Sequence, residues 1–120
     1  PILMKIIISK NELQINFSTT KKILSMKGSF KIPLKNIKTI TTQLPKPTWK
    51  EIKAPGTMIP GLIKAGTYYT DKGKQFWFVT KGKGILNIEL KNESYKRIIL
   101  GIDNNIKWAK KISDARFSKK

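Results

Sequence analysis

Hydrophobic and polar positions alternate along much of the chain with a period of two, the spacing that sends successive side chains to opposite faces of a strand. Met4, Ile6 and Ile8 share one face of the first such segment, and Leu13, Ile15 and Phe17 share one face of the second. Lys10-Asn11 lies between them, and the pair reads as a hairpin. Ser18 to Lys27 reads as a turn ahead of the break at Gly28, although Ile23, Leu24 and Met26 also suit a short strand. Phe30 and Ile32 mark a short strand ended by Pro33, which has no N–H to give a sheet ladder. From Ile37 to Thr42 the chain is rich in β-branched residues and extended again.

No period survives between Pro45 and Gly66. Pro45, Pro47, Pro55, Gly56, Pro60, Gly61 and Gly66 interrupt the segment too often for a regular element, which predicts a long loop. Loops beyond about 12 to 15 residues are uncommon in compact domains and often functional. Trp49, Pro55, Gly56, Met58, Pro60 and Gly61 are therefore a candidate interaction loop, pinned to the core by Trp49, Ile52, Met58, Ile59 and Leu62.

The second half reads as a meander of four strands, Ala65 to Thr70, Lys74 to Thr80, Ile85 to Leu90 and Tyr95 to Gly101. Turn residues separate them at Asp71-Lys72-Gly73, Lys81-Gly82-Lys83-Gly84 and Lys91-Asn92-Glu93-Ser94. Leu86, Ile88 and Leu90 point one way and Asn87 and Glu89 the other, which predicts one wet face. A helix closes the chain, with Asp103 or Asn104 as N-cap, a buried stripe of Ile106, Ala109 and Ile112, and Trp108 in the core. Lys110 and Lys111 are expected near its C-terminal end, where cations complement the helix dipole. The tail from Asp114 to Lys120 is expected to fray, leaving residues 3–113 as the core of a single domain spanning 1–120.

Composition narrows the chemistry. With 120 residues and 39% hydrophobic residues there is material for one core, and no run is long enough for a membrane helix. The net charge is +18, from 25 Lys and Arg against 7 Asp and Glu, which favours anionic partners. Only Arg97 and Arg116 are arginine, however, and abundant Lys, Ile and Asn are also what codon bias in an A+T-rich genome produces. The absence of Cys fits a reducing compartment, so the cytoplasm is the expected location, with the inner membrane face as a peripheral site. Because the chain starts at Pro1, an upstream segment is compatible with the sequence.

An ordered series of residues then sharpens the fold. Ile32-Pro33-Leu34 with Ile37, Ala54-Pro55-Gly56-Thr57 with Pro60-Gly61, Gly66-Thr67-Tyr68-Tyr69-Thr70-Asp71 with Gly73, Phe76 and Trp77, and Leu100-Gly101-Ile102-Asp103 together resemble a bacterial pleckstrin-homology-like (PH-like) domain family. The resemblance covers roughly Lys5 to Ile112. It implies a mostly β fold, a PH-like barrel of two orthogonally packed antiparallel sheets with about seven strands and one C-terminal capping helix. It implies no shared activity; PH-like domains bind phosphoinositides, peptides or proteins, and some bacterial members form rings. Fold alone does not choose among these.

Catalysis is not expected. The chain has no His and no Cys, which removes the usual zinc ligands, Ser-His triads and thiol nucleophiles. No cofactor or small-molecule substrate is indicated. For anions, Lys81-Gly82-Lys83 is the nearest candidate, since a glycine turn can present N–H groups between two ammonium groups. Lys72, Lys74 and Lys91 form a second candidate group, expected at the opposite end of the meander. The first hairpin, with Lys5 and Lys10 followed by Glu12, departs from the cation-rich hairpin of lipid-binding PH domains, so a specific inositol-phosphate pocket is not expected. The sequence thus predicts a non-catalytic binding or assembly module that engages protein partners and anionic lipid headgroups. Non-specific nucleic-acid binding and self-assembly are the alternatives.

Overall fold

The computed structural model describes residues 2–19, 29–44, 52–53 and 62–117. These form nine strands and one helix: β1 (Ile2–Ile8), β2 (Glu12–Thr19), β3 (Ser29–Pro33), β4 (Ile37–Thr41), β5 (Ile52–Lys53), β6 (Leu62–Thr70), β7 (Gly73–Thr80), β8 (Gly84–Leu90), β9 (Tyr95–Ile102) and α1 (Asn105–Phe117). The first three strands make one antiparallel sheet in the order β1-β2-β3. The other six make a second sheet in the order β4-β8-β9-β7-β6-β5.

The period-two alternation gives each sheet an apolar face, and these faces meet. Leu13, Ile15, Phe30 and Ile32 of the small sheet share one core with Phe76, Phe78, Leu86, Ile88, Ile98 and Leu100 of the large one. Met4, Ile6 and Ile8 pack against it from β1, as their spacing predicts. The fold is mostly β, with a capping helix over a two-sheet sandwich rather than a closed barrel. The chain crosses between sheets at Leu34–Asn36, a single 3-10 turn. The Leu34 N–H donates to the Asn11 carbonyl of the small sheet's first turn (2.9 Å), and the Lys91 N–H donates to the Asn36 carbonyl from the large sheet (2.8 Å). That crossing therefore ties the layers together without continuous strand pairing.

The second half is not a simple meander. β6 and β7 are an antiparallel hairpin and so are β8 and β9, but β9 inserts between β7 and β8 and runs parallel to β7. The Lys81-Gly82-Lys83 connection therefore passes over the end of β9 instead of closing a hairpin. Gly101 makes room for it: a Cβ there would lie 3.2 Å from the Lys83 Cβ, the Thr80 nitrogen and the Val79 Cα. One strand pair in the large sheet is thus parallel, where antiparallel pairing throughout was expected.

The segment expected to lack regular structure holds two strand pieces, Ile52–Lys53 and the first residues of β6. Long pairing with β7 carries β6 back to Leu62, past an irregularity between Leu62 and Lys64. Gly66 accommodates a φ of +116° within it, in a region that side chains oppose. Ile52–Lys53 is an additional strand, the other piece only lengthens β6, and the nine strands exceed the expected number of about seven. The segment read as a turn falls largely on residues 20–28, which lie outside the described residues.

The outer face of the large sheet is also drier than the alternation of β8 suggests. Tyr68, Trp77, Val79 and Ile99 form a second buried cluster, with Ile85 against it. Asn87 is buried too, accepting from Arg97 Nη1 (2.7 Å) and donating to the Gln43 carbonyl (2.9 Å). Phe76 and Phe78 enter the main core while Trp77 and Val79 enter the second, so adjacent residues of β7 serve opposite faces.

The helix corrects three expectations. It runs to Phe117, so Asp114 to Phe117 are helical rather than frayed; Arg116 anchors this last turn by donating to the carbonyls of Ile37 (3.0 Å) and Lys35 (3.3 Å). Lys110 and Lys111 accordingly sit inside the helix, and Arg116 is the cation of its last turn. Ile106 is 72% exposed, whereas Ile112 is fully buried and Trp108 and Ala109 pack against the core. At about 100° per residue Ile106 lies about 120° around the helix from Ile112, while Asn105 and Trp108 fall within about 40° of it. Asn104, at φ 58°, stands in the cap position through its backbone carbonyl, which accepts from the Trp108 N–H (3.0 Å).

Candidate functional site

The parallel pairing of β7 and β9 places Lys74 opposite Tyr95. Lys72 lies in the turn just before β7, and Lys91 follows β8 and is hydrogen-bonded to Asn36 through its backbone. These three lysines thus stand at one end of the large sheet. At that end a cleft of about 580 Å³ separates the small sheet from the large one. Ser29, Phe30, Lys31 and Ile32 of β3 line one wall; Lys74, Leu90, Glu93, Ser94 and Tyr95 line the other. Its volume falls in the ~300–1,000 Å³ span of ligand-binding clefts.

Aromatic rings form its base. Phe30 meets Phe76 edge-on at 5.0 Å and Tyr95 at 5.3 Å, and Phe76 and Tyr95 are 6.1 Å apart. The Tyr95 hydroxyl is fixed 2.7 Å from Thr67 Oγ1, which holds the ring in place. Lys74 Nζ lies 4.4 Å from the Tyr95 ring centroid, a cation over a π face. Among the described residues Glu93 brings the only carboxylate to the lining, and that carboxylate accepts from Asn36 Nδ2. Asn92, at φ 58°, shapes this turn, and Lys96 Nζ caps it by donating to the Glu93 carbonyl (3.0 Å).

The opposite end offers less. Gly82 adopts the positive φ of a tight turn (81°), but Lys83 Nζ pairs with Asp103 at 2.9 Å. Lys81 and Lys83 therefore do not face one another as two unspent cations around a glycine nest. Of the candidate interaction loop, Trp49, Pro55, Gly56, Met58, Pro60 and Gly61 all lie outside the described residues.

Most carboxylates in the described residues are engaged in polar bonding. Glu89 accepts from Thr39 Oγ1 (3.0 Å) and lies near Lys38 and Arg97, Asp114 pairs with Lys110, and Glu12 accepts from Gln14. No group of three acidic, His or Cys side chains able to hold a metal occurs among the described residues. No helix among them is long and apolar enough to cross a membrane.

Sequence reasoning found Lys74 but missed Lys31 and Tyr95, which line the cleft with it. Nothing local marks them: Lys31 is one polar position in an alternating strand, and Tyr95 reads as the first residue of another. They meet only because β3 packs over the β7–β9 pair. No protein-family model matches this chain, and no curated protein or solved structure is similar enough to it to serve as a guide.

Proposed function

We propose that this chain is a non-catalytic binding module of the PH-like kind, and that it seats an anionic partner in the cleft between β3 and the β8–β9 turn. One observation carries the reading: Lys31 and Lys74 line the cleft with the rings of Phe30 and Tyr95, while Glu93, the one carboxylate among the described lining residues, is already held by Asn36. A cation placed beside apolar rings in a partly desolvated cleft interacts more strongly with an anion than the same cation on an open surface. The absence of His and Cys and the engaged carboxylates support the non-catalytic part.

A protein partner is favoured over a nucleic acid, because Lys72, Lys74 and Lys91 stand at one end of the large sheet and Lys81 and Lys83 at the other, which is not one stripe that tracks a phosphate backbone. The absence of Cys supports a reducing location, the bacterial cytoplasm or the inner face of its membrane, where anionic headgroups would compete for the same lysines.

The test is retention of polyglutamate, anionic vesicles, zwitterionic vesicles and duplex DNA by the protein at low and near-physiological salt. Polyglutamate binding that survives physiological salt and weakens in Lys31→Glu and Lys74→Glu is expected. If every probe is lost once salt is raised, the charge is compositional and the reading fails.

A further inference from the structure

The wall of the cleft formed by β3 is an edge of the small sheet among the described residues, where β3 pairs with β2 in the order β1-β2-β3. The register shows which of its backbone groups face outward. Glu12 pairs with Pro33, so Asn11 stands opposite Leu34, and the Leu34 N–H donates to the Asn11 carbonyl at 2.9 Å. Hydrogen-bonded pairs alternate along an antiparallel ladder. Leu13–Ile32 and Ile15–Phe30 are then also bonded pairs, and Ser29, Lys31 and Pro33 turn their backbone groups away from β2. Ser29 and Lys31 each offer an N–H and a carbonyl on that side, and Pro33 offers a carbonyl only.

We propose that the occupant of the cleft is an extended acidic peptide segment that adds to the outer edge of β3 as a fourth strand. This inference rests on the anionic reading above. Main-chain bonds to Ser29 and Lys31 supply affinity, and side chains at alternate positions supply choice. In a strand laid along β3, alternate side chains point the same way. Lys31 alternates with the core-facing Phe30 and Ile32, so one set reaches the Lys31 ammonium group, while the other meets Lys74 together with the rings of Phe30 and Tyr95. The fitting sequence therefore alternates acidic and apolar residues over about five positions, the length of β3. Pro33 ends the template, because it has no N–H to continue the ladder.

The experiment compares a fluorescent Glu-Val-Glu-Val-Glu peptide with the same peptide N-methylated at its central amides, which keeps charge but blocks strand pairing. Anisotropy titration reads affinity, and hydrogen exchange reads the Lys31 amide. At least tenfold weaker binding of the methylated peptide, with the Lys31 amide slowed only by the unmethylated one, is expected. Equal binding of the two peptides without added protection at Lys31 overturns strand addition while leaving an anion seat intact. Binding of vesicles or DNA in preference to the peptide also overturns it. Failure of every anionic probe instead removes the underlying reading.

Discussion

Lys74 Nζ stands 4.4 Å from the centre of the Tyr95 ring, across the parallel pairing of β7 with β9. The contact exists because β9 separates β7 from β8, so that two strand starts lie side by side. It makes Tyr95 both a support for the cation and part of the cleft's base. Tyr95→Phe keeps the ring and loses only the Thr67 bond, at a cost of about 0.5–1.5 kcal/mol in urea unfolding. Tyr95→Ala removes ring and bond together and costs clearly more. Equal losses for the two variants would mean that the ring contributes no packing.

The helix presents two isoleucines with opposite roles. Ile112→Ala opens a cavity in the fully buried core and is expected to destabilise by about 2–5 kcal/mol. Ile106→Ala, on the exposed side, should stay within about 0.5 kcal/mol of the parent. Comparable losses at both positions would place the helix in a different rotation about its axis.

Two glycines of one connection differ in the same way. A Cβ on Gly84 would fall 2.4 Å from the Asn105 side chain, whose Nδ2 donates to the Ile85 carbonyl at 2.8 Å. Gly84→Ala must displace that side chain and break its bond, costing about 1–3 kcal/mol and loosening the start of α1. Gly82→Ala meets no atom within 4 Å and pays only for its positive φ, about 1–2 kcal/mol. Thermal unfolding monitored by helix circular dichroism separates them: only Gly84→Ala should reduce native helicity before the transition.

Arg116 joins the last helical turn to the carbonyls of Ile37 and Lys35 at the sheet crossing. Arg116→Ala is expected to cost roughly 1–2 kcal/mol, as for hydrogen bonds from a charged, partly exposed donor. Faster amide exchange should follow in α1 after Ser113. An unchanged midpoint and exchange pattern would show that the last turn is held by α1 alone.

The alternating strands and the hairpins at either end of the chain were legible because each depends on local spacing and turn residues. The insertion of β9 was not. Lys81-Gly82-Lys83-Gly84 has the chemistry of a hairpin, and what overrides it is the long-range pairing of β9 with both β7 and β8, with Gly101 leaving room for the connection. The helix was found, but its buried side was assigned to Ile106 by residue type, whereas Asn105 docks on Ile85 and turns Ile106 outward. The cleft was the least legible feature. Its residues come from β3, β7, β8, β9 and the β8–β9 turn, and no single segment carries a motif for it.

The most direct test of the cleft as the binding seat is a comparison of two charge-matched double variants in polyglutamate binding at physiological salt. One carries Lys31→Glu and Lys74→Glu at the cleft; the other carries Lys81→Glu and Lys107→Glu, at exposed positions toward the far end. Both lower the net charge equally, so long-range attraction changes alike. A loss of at least tenfold confined to the cleft variant is the predicted result. Equal weakening of both would mean that net charge alone binds the anion, and would contradict the assignment of the cleft.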